Sequence, residues 1–357
     1  MNPLILVTGG TGYIGSHTVV ELMESGFDVV IIDNLSNSSI EVLDGIEKIT
    51  GKRPLFEKLD LCDKNSLDQF FTRYPSIQAV IHFAASKAVG ESVEKPLLYY
   101  RNNLLSLINL LECMMASGIN PLVFSSSCTV YGQPDQLPVT ENSPVKPALS
   151  PYGNTKQISE EIIRDTISSK APLRAISLRY FNPIGAHPSG LIGELPLGMP
   201  NNLVPFITQT AAGIRKELLV FGNDYSTPDG TAIRDYINVV DLSKAHVVAI
   251  QRLVSQQQKA AYEVFNLGTG RGYSVLEIIK TFEKVTGVKI NYRITGRRPG
   301  DIEKVWADTS LANNELGWKA EKTLEETLAS AWKWEQYYRQ NLNPSNSQKS
   351  LNHSIMH

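Results

Sequence analysis

The chain has 357 residues, of which 42% are hydrophobic and 20% charged, and its 34 Lys and Arg against 36 Asp and Glu leave a net charge of −2. This composition is typical of a globular protein long enough for one main domain and a smaller one. The balanced charge excludes the basic surface of a nucleic-acid-binding protein, and no segment approaches the roughly 18 apolar residues of a membrane span.

The beginning of the chain and its cysteines bear on the cellular compartment. Met1-Asn2-Pro3 runs directly into apolar sequence, without the charged and long apolar segments of a signal peptide. The cysteines are odd in number and have no metal-ligand spacing; they are Cys62, Cys113 and Cys128. We therefore expect a cytoplasmic protein with reduced thiols and no bound metal.

The first half of the chain alternates short apolar strands with segments of helical period. The predicted strands are Leu4–Val7, Val29–Asp33, Leu55–Asp60, Val80–Phe83, Leu122–Phe124 and Ala175–Leu178. The predicted helices are His17–Ser25, Ser66–Tyr74, Leu97–Ser117 and Tyr152–Ile167. Because parallel strands need crossover helices of this kind, the sequence predicts a doubly wound parallel α/β sheet of the Rossmann type, covered on both faces.

After about residue 182 the alternation gives way to sequence rich in Gly and Pro, typical of long functional loops. Tyr236–Val240 is predicted as a strand that could rejoin the first sheet, followed by a helix capped at Asp241. Two later helices begin with capping boxes, Ser274…Glu277 and Thr323…Glu326. We predict a dinucleotide-binding domain at 1–181, rejoined by about 236–262, a smaller mixed α/β substrate domain at 182–340 and a disordered tail at 341–357.

A glycine-rich turn, Thr8-Gly9-Gly10-Thr11-Gly12-Tyr13-Ile14-Gly15, follows the first predicted strand and opens the first helix. Glycine permits the tight turn, and a backbone without side chains lets a pyrophosphate approach the helix N-terminus. Asp33 would accept hydrogen bonds from a ribose and repel a 2′-phosphate, which favours NAD over NADP. Asp60, after the third strand, could reach the adenine or be a surface residue. The alternative for the turn is an ordinary strand–helix loop.

Tyr152 and Lys156 are four residues apart, so both lie on one face of a predicted helix. A phenol has a pKa near ~10, and we expect a neighbouring ammonium and the positive nicotinamide of an oxidised cofactor to lower it. Ser125, Ser126 and Ser127 follow the fifth strand, where open α/β sheets bind ligands, and a hydroxyl there could bind the same substrate oxygen. Tyr-x-x-x-Lys alone is common by chance; the nucleotide turn and the serines favour a catalytic role.

Further motifs extend nearly from end to end. They are His82-Phe83-Ala84, Lys87-Ala88-Val89-Gly90-Glu91-Ser92, Val130-Tyr131-Gly132, Ser150-Pro151-Tyr152-Gly153, Arg179-Tyr180-Phe181-Asn182-Pro183, Pro200-Asn201-Asn202-Leu203, Phe221-Gly222-Asn223-Asp224-Tyr225, Arg234-Asp235-Tyr236-Ile237 and Glu315-Leu316-Gly317-Trp318. In these motifs the chain resembles the extended short-chain dehydrogenase/reductase family, and more closely its UDP-glucose (UDP-galactose) 4-epimerases.

The resemblance implies an activity. In this family tightly held NAD⁺ takes a hydride from C4 of the sugar of a UDP-hexose while a tyrosine, here Tyr152, removes the proton of the 4-hydroxyl. The 4-keto intermediate turns over and the hydride returns to its opposite face, so UDP-glucose and UDP-galactose interconvert without net oxidation. Lys156 would lower the pKa of Tyr152 and bind the cofactor ribose, and Ser127 would steer the proton.

The same resemblance implies the binding residues. Cofactor contacts are implied at Gly9, Gly12, Tyr13, Ile14, Gly15, Asp33, Asn34, Asn37, Ser38, Asp60, Leu61, Phe83, Ala84, Ala85, Lys87, Asn102, Tyr152, Lys156 and Tyr180. Substrate contacts are implied at Lys87, Ser127, Tyr152, Phe181, Asn182, Asn202, Leu203, Phe221, Arg234, Tyr236, Arg298, Asp301 and Val305. Guanidinium forks suit the diphosphate, and Asp301 would bind the uridine ribose. Taken alone, the arginines and Lys87 would be solvated charges and Tyr180 a core aromatic.

Val305 departs from the family pattern. Members confined to glucose and galactose carry a bulky tyrosine at this position, which borders the sugar just before Trp306. The smaller valine leaves room for a 2-acetamido group, so we expect activity on UDP-GlcNAc and UDP-GalNAc as well. The alternative is that neighbouring side chains refill the space.

Other functions on the same fold are disfavoured by the residues present. The 4,6-dehydratases carry an Asp-Glu pair directly before Val-Tyr-Gly, and UDP-glucuronate decarboxylases carry a Glu at the second of these positions. This chain has Cys128-Thr129 there, without a carboxylate. A non-enzymatic NAD-sensing regulator should have lost Tyr152 or Lys156, and both are present. The resemblance also implies a homodimer with a four-helix contact; the apolar stripe in Asn103–Met115 is compatible with that or with packing on the sheet.

Overall fold

The computed structural model describes residues 2–298 and 301–341. The predicted tail therefore lies outside the described residues, apart from Asn341, which ends the last helix. In the described part of the chain, no helix is both long enough and apolar enough to cross a membrane. The cytoplasmic location stays a prediction.

The first half of the chain alternates strands and helices in the predicted order. The elements are β1 (Leu4–Thr8), α1 (Tyr13–Glu24), β2 (Asp28–Asp33), α2 (Val42–Thr50), β3 (Leu55–Lys58), α3 (Lys64–Arg73), β4 (Ile77–His82), α4 (Val89–Glu94), α5 (Pro96–Ala116), β5 (Pro121–Ser127), a 3₁₀ turn (Cys128–Tyr131), α6 (Pro151–Ser168) and β6 (Arg174–Tyr180). Helices α2 and α4 are additional to the predicted ones. The three serines after Phe124 are the last residues of β5 rather than a loop that follows it.

The second half is more irregular, as its Gly and Pro content predicts. Its elements are β7 (Asn182–Ile184), α7 (Leu203–Ala211), β8 (Leu218–Phe221), β9 (Ile233–Asn238), α8 (Val239–Val254), β10 (Tyr262–Leu267), β11 (Gly272–Ser274), α9 (Val275–Thr286), β12 (Tyr292–Thr295), β13 (Lys304–Val305), a π-helical turn (Ala312–Leu316) and α10 (Leu324–Asn341). Both predicted capping boxes are present, at the starts of α9 and α10.

Seven parallel strands form the main sheet in the order β10-β6-β5-β4-β1-β2-β3. This order confirms the doubly wound Rossmann sheet. The chain runs outward from β1 in one direction to β3 and then crosses to β4 on the other side. The switch point therefore lies between β1 and β4, where the carboxyl ends of the strands leave a crevice for ligands.

The predicted strand at Tyr236–Val240 is only partly confirmed: its first three residues end β9, Val239 and Val240 begin α8, and β9 does not rejoin the main sheet. Strand β9 pairs with β7, β11 and β13 in a second, four-stranded sheet, and β10 is the strand that completes the edge of the first. The predicted cap is also wrong, because Asn238 accepts the hydrogen bond at the start of α8. Asp241 instead accepts from the backbone N–H groups of Glu321 and Lys322.

Successive residues of β1 face opposite sides of the sheet, as a strand requires. Ile5 and Val7 belong to the core beneath α1, α2 and α8, whereas Leu6 belongs to the core beneath α3, α5 and α6. A third core joins α7, β8, α9 and α10 in the second half of the chain. The predicted domain boundary at residue 181 stays a prediction. Helix α8, from the second half of the chain, packs in the first core of the main sheet.

Candidate active site

The glycine turn lies at the switch point of the main sheet. Gly9 has a φ of +71°, and a Cβ there would be 2.8 Å from the backbone nitrogen of Ala84, just after β4. A Cβ on Gly15 would be 2.2 Å from the carbonyl oxygen of Gly9, so only glycine fits the first turn of α1. Gly12 occupies the cap position of α1 and provides no side-chain cap. The N–H groups of a first helical turn have no acceptor within the helix and suit a pyrophosphate, so these residues fit a dinucleotide.

The acidic residue at the end of β2 is held in place beside this turn. The Asp33 carboxylate accepts hydrogen bonds from the backbone nitrogens of Thr11 (3.3 Å) and Leu35 (2.9 Å) and from the Ser38 hydroxyl (3.1 Å). The neighbouring Asn34 amide donates to Asp60 at 3.2 Å. The structure thus brings the residues predicted for the ribose and the adenine to the ends of β2 and β3. The exposed Asn37 takes part in no hydrogen bond described here, while Leu61 is buried and its carbonyl accepts from Asn109.

The other predicted cofactor residues follow β4 or lie on neighbouring elements. Phe83 and Ala84 donate backbone hydrogen bonds to Thr8, which attaches this segment to β1. Asn102 on α5 donates to the Ser86 hydroxyl at 3.1 Å, in the same segment. The remaining members are the half-buried Ala85, the exposed Lys87, the half-buried Tyr13 and Ile14 at the start of α1, and the buried Tyr180 at the end of β6.

Tyr152 and Lys156 lie in the first two turns of α6. Ser150 caps the N-terminus of this helix, because its hydroxyl accepts a 3.1 Å hydrogen bond from the backbone nitrogen of Gly153. The Lys156 ammonium lies 5.9 Å from the centre of the Tyr152 ring. It donates a 2.7 Å hydrogen bond to the carbonyl of Ser125 in β5 and is 4% exposed as a residue. The helix and the strand end therefore bring the predicted catalytic residues together.

The lowering of the Tyr152 pKa expected from Lys156 and an oxidised cofactor together stays a prediction. Burial raises the pKa of Tyr152 to about 12, and the hydrogen bond with Ser127 only partly opposes that rise. Burial also lowers the pKa of Lys156 to about 8, with Glu160 acting in the opposite direction. The physical reason is that a low-dielectric site disfavours the charged form of both groups. The hydrogen bond of Lys156 goes to the Ser125 carbonyl rather than to the phenol.

The three serines at the end of β5 point to different partners. The Ser125 hydroxyl makes a short hydrogen bond with the Tyr180 hydroxyl, and Ser126 donates to Glu160 at 2.5 Å. Ser127 accepts from the nitrogen and the hydroxyl of Thr129 at 3.2 and 2.9 Å. Of the three, Ser127 is the one whose hydroxyl acts on the pKa of Tyr152, by lowering it, so it is the one placed to share a substrate oxygen.

A buried ion pair lies one helical turn beyond Lys156. Glu160 on α6 and Arg179 on β6 have side chains that are 3% and 5% exposed, and two guanidinium nitrogens donate to the carboxylate at 2.9 and 2.5 Å. Arg179 also donates to the hydroxyl of Tyr131 at 3.0 Å. This network connects α6 to β5, β6 and the 3₁₀ turn, and so fixes the helix that carries Tyr152.

The predicted diphosphate residues lie in the second half of the chain. Arg298 donates to the Asp301 carboxylate at 2.8 Å, and the Arg234 guanidinium is 3.8 Å from the same oxygen. Arg298 also lies 5.8 Å from the centre of the Phe221 ring at the end of β8. The structure thus groups two cations, one carboxylate and one aromatic ring, a set suited to a nucleoside diphosphate.

The other predicted substrate residues lie nearby or support this group. Val305 in β13 is directly opposite Arg234 in β9, and it packs in a small core with Phe181 and Tyr131. Asn182 in β7 is opposite Tyr236 in β9. Asn202 and Leu203 begin α7, and the Asn202 amide donates to Glu194 at 2.7 Å, so this amide has a partner within the protein.

Three residues of the site were not singled out from the sequence. Asn103 is buried on α5 and donates to the Ser86 carbonyl and the Thr155 hydroxyl, which ties α5 and α6 to the segment after β4. Glu160 follows Lys156 at helical spacing, which could have suggested a shared face. Glu194 lies in a loop without regular structure, and nothing in its local sequence indicates its position.

Comparisons with known proteins agree with this geometry. A family profile described as GDP-mannose 4,6 dehydratase matches residues 6–331. The UDP-glucose 4-epimerase of Bacillus subtilis (strain 168) is 53% identical over 331 residues, which cover 93% of this chain and 96% of that protein. Neither carboxylate of the dehydratase pair is present at Cys128-Thr129.

Two solved structures are similar over almost their whole length. A UDP-glucose 4-epimerase from Stenotrophomonas maltophila, with bound NAD and formylated UDP-arabinopyranose, superposes with a TM-score of 0.91 at 48% identity, covering 95% of this chain and 99% of that one. A UDP-glucose 4-epimerase from Bifidobacterium longum, in complex with NAD⁺ and UDP, gives a TM-score of 0.89 at 48% identity, covering 95% and 98%. The chain belongs to the UDP-glucose 4-epimerases of the extended short-chain dehydrogenase/reductase family.

Proposed function

We propose that this protein interconverts UDP-glucose and UDP-galactose at C4 of the sugar, with NAD as a cofactor that stays bound. One observation supports this most strongly: Tyr152 and Lys156 share a face of α6, where Lys156 bonds the Ser125 carbonyl near the carboxyl end of β5, and the glycine turn lies at the switch point of the same sheet. The related proteins that carry this name add to it. The nucleotide sugar would bind between this site and the second half of the chain.

Different residues of the chain would bind the cofactor and transfer the proton in this reaction. Gly9, Gly12 and Asp33 would hold NAD⁺, which when bound supplies a hydride acceptor for C4 and a positive charge beside the phenol. Tyr152 would take the proton of the 4-hydroxyl and return it after the 4-keto sugar has turned over. Burial favours the neutral form of Tyr152, so the phenol would need positive charge nearby when it gives up its proton; the Lys156 ammonium lies 5.9 Å from the centre of its ring.

The diphosphate would be held by the second half of the chain. Arg234 and Arg298 are the cations proposed to bind it, and Asp301 lies within reach of both. We assign the uridine ribose to Asp301 and the base to the exposed ring of Phe221. This division leaves the sugar to face Tyr152, Ser127 and the Asn182 amide.

The proposed activity is tested by identifying products. The purified protein would be offered UDP-galactose and UDP-GalNAc separately, while the absorbance near the reduced-nicotinamide band is followed. We expect bound NAD and UDP-glucose as the product of UDP-galactose. A dehydratase would release a 4-keto-6-deoxy sugar and a decarboxylase would release CO₂ from UDP-glucuronate. Protein that contains no NAD and forms no epimer would contradict the proposal.

We also propose that Val305 extends the substrate range to UDP-GlcNAc and UDP-GalNAc. Val305 is buried beside Phe181 and is paired with Arg234 on the neighbouring strand β9. Val305→Tyr adds bulk at this point and is expected to reduce the activity on UDP-GalNAc by roughly tenfold or more relative to UDP-galactose, because a filled pocket excludes an added group. The ratio of the two kcat/KM values measures the effect. A ratio equal to that of the native protein would show that neighbouring side chains already fill the space.

A homodimer is proposed from the exposed side of α5. Leu107, Leu110 and Met114 pack on the sheet, whereas Leu105 and Ile108 are exposed on the other side of the helix. Exposed apolar stripes of this kind mark interfaces, and a twofold contact would pair the same helices of two copies. Sedimentation velocity should give a dimer for the native protein and a monomer for Leu105→Lys/Ile108→Lys. Leu149→Lys, an exposed apolar residue elsewhere, is the control; a native monomer would contradict the proposal.

A further inference from the structure

Glu194 lies between residues assigned to different ligands. Its carboxylate oxygen Oε1 accepts the 2.7 Å hydrogen bond from the Asn202 amide, and the same oxygen is 3.8 Å from the Lys87 ammonium. Lys87 follows β4 and is implied to contact the cofactor as well as the substrate, whereas Asn202 begins α7 and is implied to contact the nucleotide sugar alone. One carboxylate therefore contacts a donor from each of the two proposed sites.

The backbone of Glu194 is held firmly. Its carbonyl accepts a 3.0 Å hydrogen bond from the indole of Trp334 on α10. A Cβ on the preceding Gly193 would be 2.3 Å from the same indole, so the chain there lies flat against the ring. Gly193 also pairs with Ala186 in an isolated antiparallel bridge. The carboxylate thus extends from a fixed support, with its side chain only 12% exposed.

The segment before Glu194 also contacts α1 and α2 of the predicted dinucleotide-binding domain. Tyr13, which follows Gly12 of the glycine turn, donates a 2.7 Å hydrogen bond to the carbonyl of Gly185. A Cβ on Gly45 of α2 would be 2.7 Å from Ile192, so α2 packs closely on this segment. Residues 185–194 therefore contact the first turn of α1 through Gly185 and the start of α7 through Glu194.

From this arrangement we propose that Glu194 is a positioning residue that couples the two ligands, by holding Lys87 toward the cofactor and Asn202 toward the nucleotide sugar. The inference rests on the proposed function. A long lysine side chain that is 57% exposed loses conformational freedom when it binds a ligand. The first ligand to bind would fix Glu194 through its own donor, and the fixed carboxylate would hold the other donor in place, so the second ligand loses less of this freedom. Such coupling is reciprocal.

The test follows the loss of bound NAD from the full chain, by ultrafiltration at intervals, with and without saturating UDP. In the native protein UDP should slow the loss by roughly fivefold or more, the lower end of common coupling strengths. Glu194→Gln keeps an acceptor for Asn202 but removes the charge that orders Lys87, and it should reduce the UDP effect to within about twofold. Glu335→Gln, a buried glutamate of α10 paired with Arg339, should retain the native effect.

The outcomes separate this inference from the function on which it rests. Native protein that retains no NAD or binds no UDP overturns both. Native protein that binds both ligands while Glu194→Gln keeps the full UDP effect overturns the coupling alone. Lys87→Met removes the same link at an exposed side chain, so the test also applies if Glu194→Gln does not fold. A lost UDP effect in Lys87→Met supports the inference, and a retained one overturns it.

Discussion

Tyr152→Phe is expected to lower kcat for UDP-galactose by ~10²- to 10⁴-fold, the usual contribution of a positioned general acid or base. The substitution removes only the hydroxyl that Ser127 contacts and keeps the ring beside Lys156. Because the glycine turn and Asp33 are untouched, the variant should retain its bound NAD. The measurement is the steady-state rate with UDP-galactose, together with the NAD content of the purified protein.

A matched control is available in the same chain. Tyr74→Phe removes a half-buried hydroxyl that donates to Glu57 on β3, and it should change kcat by less than about twofold. The assignment of Tyr152 would be contradicted by a variant that keeps its NAD and turns over at more than about a tenth of the native rate. Loss of NAD together with activity would instead point to a structural defect.

Arg179→Met is expected to cost about 3–5 kcal/mol of the free energy of unfolding, because it leaves the Glu160 carboxylate buried without its cation. Both side chains are almost fully buried and joined by two hydrogen bonds. Urea unfolding with NAD present in excess measures the change. The loss should also appear in kcat, since the pair connects α6 to β6 near Lys156.

Two further variants test whether the unpaired buried charge causes the expected loss in the free energy of unfolding. Arg179→Met/Glu160→Gln removes both charges and should be more stable than Arg179→Met alone. Arg293→Met breaks an ion pair with Glu217 in which both side chains are well exposed, and it should cost under about 1 kcal/mol. An Arg179→Met variant as stable as Arg293→Met would contradict the importance of the buried pair.

Much of the nucleotide site follows from local sequence. The glycine turn and Asp33 are fixed by the steric needs of a strand–turn–helix unit, and the structure has the turn at the predicted switch point. The spacing of Tyr152 and Lys156 likewise predicts their shared helix face. The pKa of Tyr152 could not be predicted in this way, because it depends on burial by residues distant in sequence.

The wrong predictions about strands likewise come from contacts between residues that are distant in sequence. The apolar and polar alternation around Tyr236 predicts a strand but does not say which sheet it joins. Its pairing with β7, β11 and β13, two of which lie far along the chain, decides this. The buried Asp235 adds hydrogen bonds from the backbones of Thr269 and Ala307, in the loops beside β11 and β13. The predicted end of β5 is too early because serines suggest a loop; the pairing of the three serines with Leu178, Arg179 and Tyr180 in β6 extends the strand.

The order of the main sheet has a consequence for synthesis of the protein. Beneath α1 and α2, the first core also takes side chains from α8 and from Trp318, and β10 supplies the edge strand beside β6. A nascent chain that has emerged only as far as β6 therefore lacks one covering helix and one edge partner. Its apolar face stays exposed until Trp318 has emerged from the ribosome, and this is the interval in which a chaperone would be needed.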